Sequence, residues 1–328
     1  MPEHFRIDAR DGSARAGVLA CEHGEVQTPA FVPLASTATV KGLEPDEVAE
    51  LGFEMVLGNT FHLFIQPGEE LIERFGGLHE FMAWRKPIIT DSGGFQVFSM
   101  GHGSVADEIK HRRGDRENRI LKIDEEGVRF RSYLDGGERF MGPETSMEVQ
   151  ARLGSDIALA FDECTPFHAS REYTARSTER THRWLDRCVE WHEGNAPAWQ
   201  HLYGIVQGGV YEDLRAESAQ RIAAAPVAGV AVGGSLGQEK EEMHEVVRWS
   251  LAPVPEAMPR HLLGIGDVDD ILAAVAAGID SFDCATPTRL ARHGSALVPD
   301  PDTRWRVDLH KSRWRDSQEP IADGCPCP

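Results

Sequence analysis

The sequence predicts an α/β protein in which eight parallel strands alternate with helices, as in a (β/α)8 TIM barrel. Short apolar runs recur along the chain, helix-like segments separate them, and polar or small residues close each run. The 328 residues, of which 41% are hydrophobic, can bury one large core. The chain shows no internal repeat and no linker, so we expect a single domain across residues 1–328.

The predicted strands are short apolar runs, each ended by a polar residue or glycine. Such runs suit strands that are buried on both faces, as in the wall of a barrel. The eight runs are Ala30–Val32, Met55–Leu57, Pro87–Thr90, Ile157–Phe161, Leu202–Val206, Val230–Val232, His261–Leu263 and Ile279–Phe282.

The segments between these runs carry helix signals. Several open with Pro or Asp. Proline has no backbone N–H, and this is tolerated in the first turn because N–H groups there have no partner within the helix. The negative charge of Asp interacts favourably with the positive end of the helix dipole. The predicted helices are Pro45–Leu51, Pro67–Phe75, Pro143–Leu153, Arg171–Glu193, Tyr211–Ala224, Glu239–Leu251 and Asp267–Ala277.

Residues 101–142 interrupt the alternation and predict an insertion before the fourth strand. Within it, residues 127–140 alternate polar and apolar side chains around Asp135-Gly136, which is typical of a β-hairpin. The segment 112–119 ahead of the hairpin is too charged to pack, so we expect a mobile loop.

Composition narrows the classes of function. The net charge of −19 disfavours indiscriminate nucleic-acid binding. Between Arg289 and Arg315, however, seven Lys or Arg accompany three Asp, which predicts either a phosphate-facing strip or an ordinary solvated surface. No apolar run approaches the roughly 20 residues of a membrane span. The N-terminus has no leader pattern, and six scattered cysteines form no disulfide framework, so we expect a cytosolic protein without a membrane partner.

Polar and small residues follow the predicted strands and should meet at one mouth of the barrel. The glycines among them are explained by the turns that follow strands. The carboxylates of Asp91, Asp162 and Asp283 are not, because burial of a carboxylate at the end of a strand costs free energy unless it has a partner or a function. One carboxylate that attacks and another that transfers a proton would suit displacement at an anomeric carbon, and Asp91 and Asp283 fit this pair. The strand-end residues are Asn59, Asp91, Asp162, Gln207, Gly233, Gly234, Gly264 and Asp283.

Six segments resemble, in the same order, the signature segments of bacterial tRNA-guanine transglycosylases. They are Val40–Gly42, Gly58–Leu63, Asp91–Phe98, Phe161–Pro166, Gly204–Gly209, and Phe282–Cys284 with Pro287–Arg289. The resemblance spans almost the whole chain. It implies an enzyme that exchanges guanine at the wobble position of tRNAs with a GUN anticodon for 7-aminomethyl-7-deazaguanine, in queuosine synthesis. A covalent enzyme–tRNA intermediate and no organic cofactor are implied.

The resemblance also implies a role for each residue of the mouth. Asp283 would be the nucleophile and Asp91 the general acid and base. Arg289 and Arg292 would contact the anticodon. The base would be held by Asp91, Ser92, Gly93, Gly94, Phe95, Asp162, Gln207, Gly234 and Leu263. The RNA would lie along Gly264, Ile265, Gly266, Asp267, Val268, Asp269 and Asp270, and along Thr288, Arg289, Leu290, Ala291 and Arg292.

A zinc site is implied by the resemblance, since the family carries Cys-x-Cys-x-x-Cys followed by a distant His. Residues 299–328 match the start of this zinc-binding subdomain in a truncated form, in which Cys325 and Cys327 supply two of four ligands. Two thiolates cannot close a tetrahedral Zn²⁺ site. The hypotheses are a shortened chain, a ligand from a partner, or no zinc. The family's homodimer contact lies beside this subdomain, so its shortening also weakens the case for a homodimer.

Two rival functions remain open at this point. Gly233-Gly234-Ser235-Leu236-Gly237 matches the G-x-S-x-G nucleophile elbow of serine α/β-hydrolases, a reading that serine-directed phosphonates would test. A non-catalytic tRNA-binding subunit would bind tRNA without exchanging labelled guanine, but the three aspartates of the mouth argue against it. Among the histidines, His62, His79 and His168 lack metal-ligand spacing, which predicts surface or core positions.

Overall fold

The computed structural model describes residues 4–102, 119–166, 168–321 and 324. It confirms the predicted barrel, because eight parallel strands close on themselves in chain order. Each strand overlaps one predicted apolar run. The barrel strands are β4 (Ala30–Ala35), β5 (Val56–Gly58), β6 (Ile88–Thr90), β10 (Ile157–Leu159), β11 (His201–Val206), β12 (Gly229–Val232), β13 (Arg260–Leu262) and β14 (Ser281–Cys284).

The barrel closes where the last strand, β14, pairs with the first, β4. Asp283 lies opposite Val32 in this pairing. Side chains from several strands, including Val32, Leu57, Leu159 and Ile205, join one buried apolar cluster. The apolar runs are therefore continuous because the strands face apolar neighbours on both sides, the barrel interior and the surrounding helices.

Helices surround the barrel, and all seven predicted helices are present with ends that agree to within about two residues, the usual uncertainty of helix ends. Among the described residues, four further short helices were not predicted. The helices are α1 (Pro45–Glu50), α2 (Thr60–Ile65), α3 (Glu69–Arg74), α4 (Leu78–Phe81), α5 (Gly94–His102), α6 (Pro143–Leu153), α7 (Arg171–Asn195), α8 (Glu212–Ala223), α9 (Lys240–Leu251), α10 (Val268–Ala277) and α11 (Thr286–Arg292). None of the described helices is both long and apolar enough to cross a bilayer.

An antiparallel sheet of three strands precedes the barrel and was not predicted: β1 (Phe5–Asp11), β2 (Ala14–Cys21) and β3 (Gly24–Thr28). Phe5, Leu19 and Val26 pack into the apolar cluster of the barrel. A buried ion pair ties the sheet to the last barrel strand, since Arg15 Nε donates to Asp280 Oδ1 at 2.8 Å. The sheet therefore packs at the amino end of the barrel strands.

The insertion contains the predicted hairpin. Strand β8 (Val128–Arg131) pairs antiparallel with β9 (Glu138–Met141), and β7 (Ile120–Ile123) adds a third strand. The charged segment 112–118 lies outside the described residues. Near the C-terminus, β15 (Ser295–Leu297) and β16 (Arg306–Asp308) form an antiparallel pair after α11.

Candidate active site

The residues predicted at the strand ends lie at the carboxyl end of the barrel. Because the eight strands are parallel, these ends share one mouth, where barrel enzymes place their active sites. Asp91 follows β6, Asp162 follows β10, Gln207 follows β11, Gly234 follows β12, Leu263 follows β13, and Asp283 lies within β14.

Four donors hold the carboxylate of Asp91. Its Oδ1 accepts hydrogen bonds from the backbone N–H groups of Thr60 at 2.9 Å and Gly93 at 3.2 Å. Its Oδ2 accepts from the side-chain amide of Gln96 at 3.2 Å and from that of Asn59. These donors fix the orientation of the carboxylate at the mouth.

The environment of Asp91 brings the pKa of its carboxyl group close to neutral pH. Burial raises the pKa of Asp91 from 3.8 to about 7, against the effect of the Thr60 N–H, and the negative charge of Asp283 adds to the increase. The two carboxylates therefore interact electrostatically. A carboxyl group with a pKa near neutrality can both donate and accept a proton at physiological pH, as a general acid and base must.

Asp283 is buried at the same mouth and is held by two donors. Its Oδ1 accepts from the backbone N–H of Gly264 at 3.1 Å and lies 3.1 Å from Nε2 of His261. His261 is fully buried, and its Nδ1 lies 2.8 Å from the hydroxyl of Ser281. This histidine, to which sequence reasoning gave no role, orients the predicted nucleophile.

Asp162 lies at the centre of a polar network. The hydroxyl of Ser92 donates to Oδ1 at 2.6 Å, and the amide of Gln207 donates to Oδ2 at 2.6 Å. Burial raises the pKa of Asp162 to about 6, although both hydrogen bonds act in the opposite direction. The Oε1 of Gln207 is buried and has no hydrogen-bond partner among the described residues. Two hydrogen bonds thus hold the carboxylate of Asp162 in one orientation.

Two glycines of the mouth leave no space for a side chain. A Cβ on Gly94 would lie 2.5 Å from the carbonyl oxygen of Asp162, and one on Gly234 would lie 2.2 Å from Oε1 of Gln207. Gly234 also has a φ of +79°, which L residues rarely adopt. Both positions bring the backbone close to the polar network, as the binding of a flat base requires.

Arg215, in α8, fixes the loops behind this network. It is fully buried, and its guanidinium donates to the carbonyl oxygens of Val206 (3.0 Å), Gly209 (2.7 Å), Gly233 (2.8 Å) and Ser235 (2.9 Å). Burial lowers the pKa of Arg215 to about 9, which leaves the side chain charged at neutral pH. One cation therefore joins the segments that follow β11 and β12. Sequence reasoning missed this residue as well.

The two apolar residues predicted to sandwich a base differ in exposure. Phe95, near the start of α5, has 44% of its surface exposed, which is high for an aromatic side chain. Leu263 is partly buried and packs against the barrel cluster. The exposed ring of Phe95, four residues after Asp91 in the chain, is available for stacking on a planar ligand.

The predicted RNA-binding residues lie in two segments, one after β13 and one in α11 after β14. In α11, Arg289, Ala291 and Arg292 are exposed. In the other segment, Gly264, Asp267 and Asp269 are exposed, and Asp269 accepts from the indole of Trp305 at 2.6 Å. Asp270 instead is buried and lies 3.0 Å from Nζ of Lys240. Asp270 and Gly266 are therefore buried members of this set.

Two other predictions have different outcomes. Cys325 and Cys327 lie outside the described residues, so the Zn²⁺ site and the homodimer contact stay predictions. Ser235, the nucleophile of the hydrolase hypothesis, is buried, and its hydroxyl has no hydrogen-bond partner among the described residues. A nucleophilic serine needs a base within hydrogen-bond reach, so this geometry does not favour a hydrolase.

The fold and the mouth together describe a parallel (β/α)8 barrel with three aspartates at the carboxyl end of its strands, two of which, Asp91 and Asp283, interact electrostatically. Comparison with known proteins then identifies the family. The family model described as Queuine tRNA-ribosyltransferase matches residues 10–328, and the chain belongs to this family. The predicted class of enzyme, a pentosyltransferase, is thereby confirmed.

Relatives named Queuine tRNA-ribosyltransferase match almost the full chain. The protein from Roseiflexus sp. (strain RS-1) is 49% identical over 98% of this chain and 84% of its own length. That from Pelotomaculum thermopropionicum is 45% identical over 100% of this chain and 83% of its own. That from Fusobacterium nucleatum subsp. nucleatum is 43% identical over 100% of this chain and 82% of its own.

Proposed function

We propose that this chain exchanges the guanine at the wobble position of tRNAs with a GUN anticodon for 7-aminomethyl-7-deazaguanine. The observation that carries the proposal is the pair of coupled carboxylates at one mouth. Asp283 is positioned by two donors, and Asp91 has a pKa raised to about 7. A positioned carboxylate beside a proton-transferring one is the equipment for two successive displacements at an anomeric carbon.

In the first displacement, the carboxylate of Asp283 attacks C1′ of the ribose. The bond between C1′ and the base nitrogen breaks, and its electron pair leaves with guanine. Asp91, in its protonated form, supplies the proton that neutralises the departing base. The tRNA is then held as an ester of Asp283.

In the second displacement, the incoming 7-deazaguanine base loses its N9 proton to Asp91. The N9 electron pair attacks C1′, and the ester bond to Asp283 breaks, so the carboxylate is regenerated. Asp91 ends the cycle protonated, as it began. Two inversions at C1′ return the original configuration.

The polar network supplies base recognition. Guanine and its 7-deaza analogues present an N–H and an amino group side by side, which a carboxylate such as Asp162 can accept. Gln207 and the backbone of Gly234 address the carbonyl edge of the base, and Phe95 and Leu263 hold the ring faces, as is usual for extruded bases. Burial of Asp162 makes each of these hydrogen bonds stronger than it would be in water.

Arginines beside the mouth supply contacts to the anticodon loop. Arg289 and Arg292 are exposed in α11, which begins two residues after β14. The positive charge of these two arginines offsets the negative charge of the surrounding surface. Few cationic side chains are needed, because an unstacked base in a loop is recognised mainly through hydrogen bonds and stacking. The GUN specificity follows from guanine recognition at the mouth and from contacts with the neighbouring nucleotides.

Trapping of the covalent adduct tests the proposal. Wild-type protein incubated with a GUN tRNA should give a protein–tRNA band that survives a denaturing gel. Asp283→Asn should give none, and Asp91→Asn should form it far more slowly. Asp8→Asn, a change of an exposed residue of β1, is the matched control and should behave as wild type. Adduct formation that persists in Asp283→Asn would refute the proposal. Binding of tRNA without adduct or guanine exchange in wild type would favour the non-catalytic alternative.

A further inference from the structure

A second group of ionisable side chains lies at the amino end of the barrel strands, opposite the mouth. His23 lies in the turn between β2 and β3, His79 lies in α4, and Asp156 directly precedes β10. The three residues come from distant parts of the sequence, so no spacing motif announces them. None of them takes part in the proposed exchange reaction.

The atoms of this group have the spacing of metal ligands. His23 Nδ1 lies 3.0 Å from Asp156 Oδ1, and His79 Nε2 lies 3.3 Å from Asp156 Oδ2. The two imidazole rings stack with centroids 3.6 Å apart, and all three ligand atoms lie within 4.8 Å of one another. Bonds of about 2.0–2.1 Å in a tetrahedral Zn²⁺ site place ligand atoms roughly 3.3 Å apart. Small movements of these side chains would therefore bring the three ligand atoms to the spacing that a bound Zn²⁺ ion requires.

His79 provides a separate observation that points to a ligand. Its side chain is only 8% exposed, and the contact of its Nε2 with Asp156 Oδ2 at 3.3 Å does not have hydrogen-bond geometry, so Nε2 has no well-formed hydrogen bond among the described residues. A buried polar nitrogen without a well-formed hydrogen bond costs free energy, and native proteins rarely leave one in that state. A metal ion between His79 and Asp156 would use this lone pair.

The carboxylate of Asp156 is oriented in advance. The side chain is fully buried, and its oxygens accept from the backbone N–H of His23 at 3.0 Å and from that of Ile88 at 2.9 Å. Such contacts fix ligands in known metal sites. The His23 side chain is 32% exposed, which provides a route for an ion and a position for a water ligand.

We propose that His23, His79 and Asp156 form a structural site for a divalent transition metal, with Zn²⁺ as the best match. Two imidazole nitrogens and a carboxylate suit this ion. The site would join the N-terminal sheet, α4 and β10 at the end of the barrel where residues serve stability rather than catalysis. It is distinct from the zinc site predicted at Cys325 and Cys327, and it does not depend on the proposed function.

The test uses the full chain with Cys325→Ser and Cys327→Ser, which removes the other predicted zinc ligands. After treatment with a chelator, this parent protein is titrated with Co²⁺ and with Zn²⁺. We expect one Co²⁺ per chain, with visible d–d bands and no thiolate charge-transfer band. The melting temperature should rise with the logarithm of the metal concentration, as expected for an ion that binds only the folded state.

His23→Phe is the decisive variant, because it keeps a ring against His79 and Trp199 but has no lone pair. We expect Co²⁺ binding to weaken by at least ~100-fold. This loss is larger than most that follow substitution of residues that contact a metal ligand but not the metal itself. His201→Phe is the matched control, since His201 stacks on His4 at 3.6 Å in the neighbouring pair, and it should bind as the parent does. His23→Asn replaces His23→Phe if that variant does not fold.

Three outcomes would overturn the proposal. These are no Co²⁺ binding by the parent protein, equal binding by His23→Phe, or a thiolate charge-transfer band, which would assign the ion to another cysteine. Because none of these readouts uses tRNA or base exchange, failure of the metal site leaves the proposed function untouched. Loss of the covalent adduct in the earlier experiment likewise leaves the metal site untouched.

Discussion

The raised pKa of Asp91 predicts a specific dependence of stability on pH. The pKa of this carboxyl moves from 3.8 to about 7 on folding, mainly because the side chain is buried. A tenfold change in proton affinity corresponds to about 1.4 kcal/mol, so a change in pKa from 3.8 to about 7 corresponds to about 4 kcal/mol. The ionised form of Asp91 therefore lowers the free energy of unfolding by about 4 kcal/mol relative to the protonated form.

The sign follows from proton binding. Between about pH 4 and pH 7 the folded protein binds more protons at this residue than the unfolded chain does, so stability falls as the pH rises. The contribution is fully present below about pH 4 and is lost above about pH 7. Asp91→Asn removes this titration and leaves every other group, including Asp162, in both proteins.

Urea unfolding of wild type and Asp91→Asn across pH 4 to 8 measures the effect. We expect the difference in the free energy of unfolding, wild type minus variant, to fall by about 4 kcal/mol over this range. In an Asp283→Asn background the fall should be smaller, because one source of the raised pKa is gone. A difference that stays constant from pH 4 to 8, or rises, would refute the account of a buried carboxyl with a near-neutral pKa.

Two further predictions concern positioning at the mouth. Gly234→Ala should raise the KM for the base by ~10-fold or more, because its Cβ would lie 2.2 Å from Oε1 of Gln207. Gly52→Ala, with a φ of +88° and no atom within 4 Å, should share the backbone strain without changing this KM, and an equal effect of both would contradict the steric explanation. His261→Phe removes one of the two donors to Asp283, a charge-assisted bond of about 1.5–3 kcal/mol, so rapid-quench trapping should show adduct formation slowed by about 10–100-fold. His261→Gln, which restores a donor, should recover part of the rate, and unchanged kinetics in His261→Phe would show that this contact does not position the nucleophile.

The parts of the fold that could be predicted are those with a pattern in the local sequence. Barrel strands are buried on both faces, so they are short apolar runs such as Val230–Val232. Strand β1, by contrast, is mostly exposed and charged, and only the turn at Asp11-Gly12 marks it. Short helices such as α4, with four residues, are too brief to show a 3.6-residue period.

The residues of the candidate site likewise divide into those that the sequence could predict and those that it could not. The carboxylates could be predicted because an acid at the end of a buried strand needs an explanation. Their partners could not, because contacts such as that of His261 with Asp283 join different strands and depend on register. Arg215 was missed for a related reason, since an arginine within a surface helix is typical of a solvated face until the structure shows that it is buried.

The contacts of Arg215 have a consequence for how the sequence of the loop after β12 can change. All four acceptors are carbonyl oxygens of the main chain, which every residue possesses. The backbone of the loop after β12 is thus anchored independently of the side chains it carries. Ser235 and Leu236 are buried, so substitutions there change the local packing while the contacts of Arg215 with the main chain are retained. The position of this loop at the mouth of the barrel therefore depends on Arg215 more than on the identity of the residues within the loop.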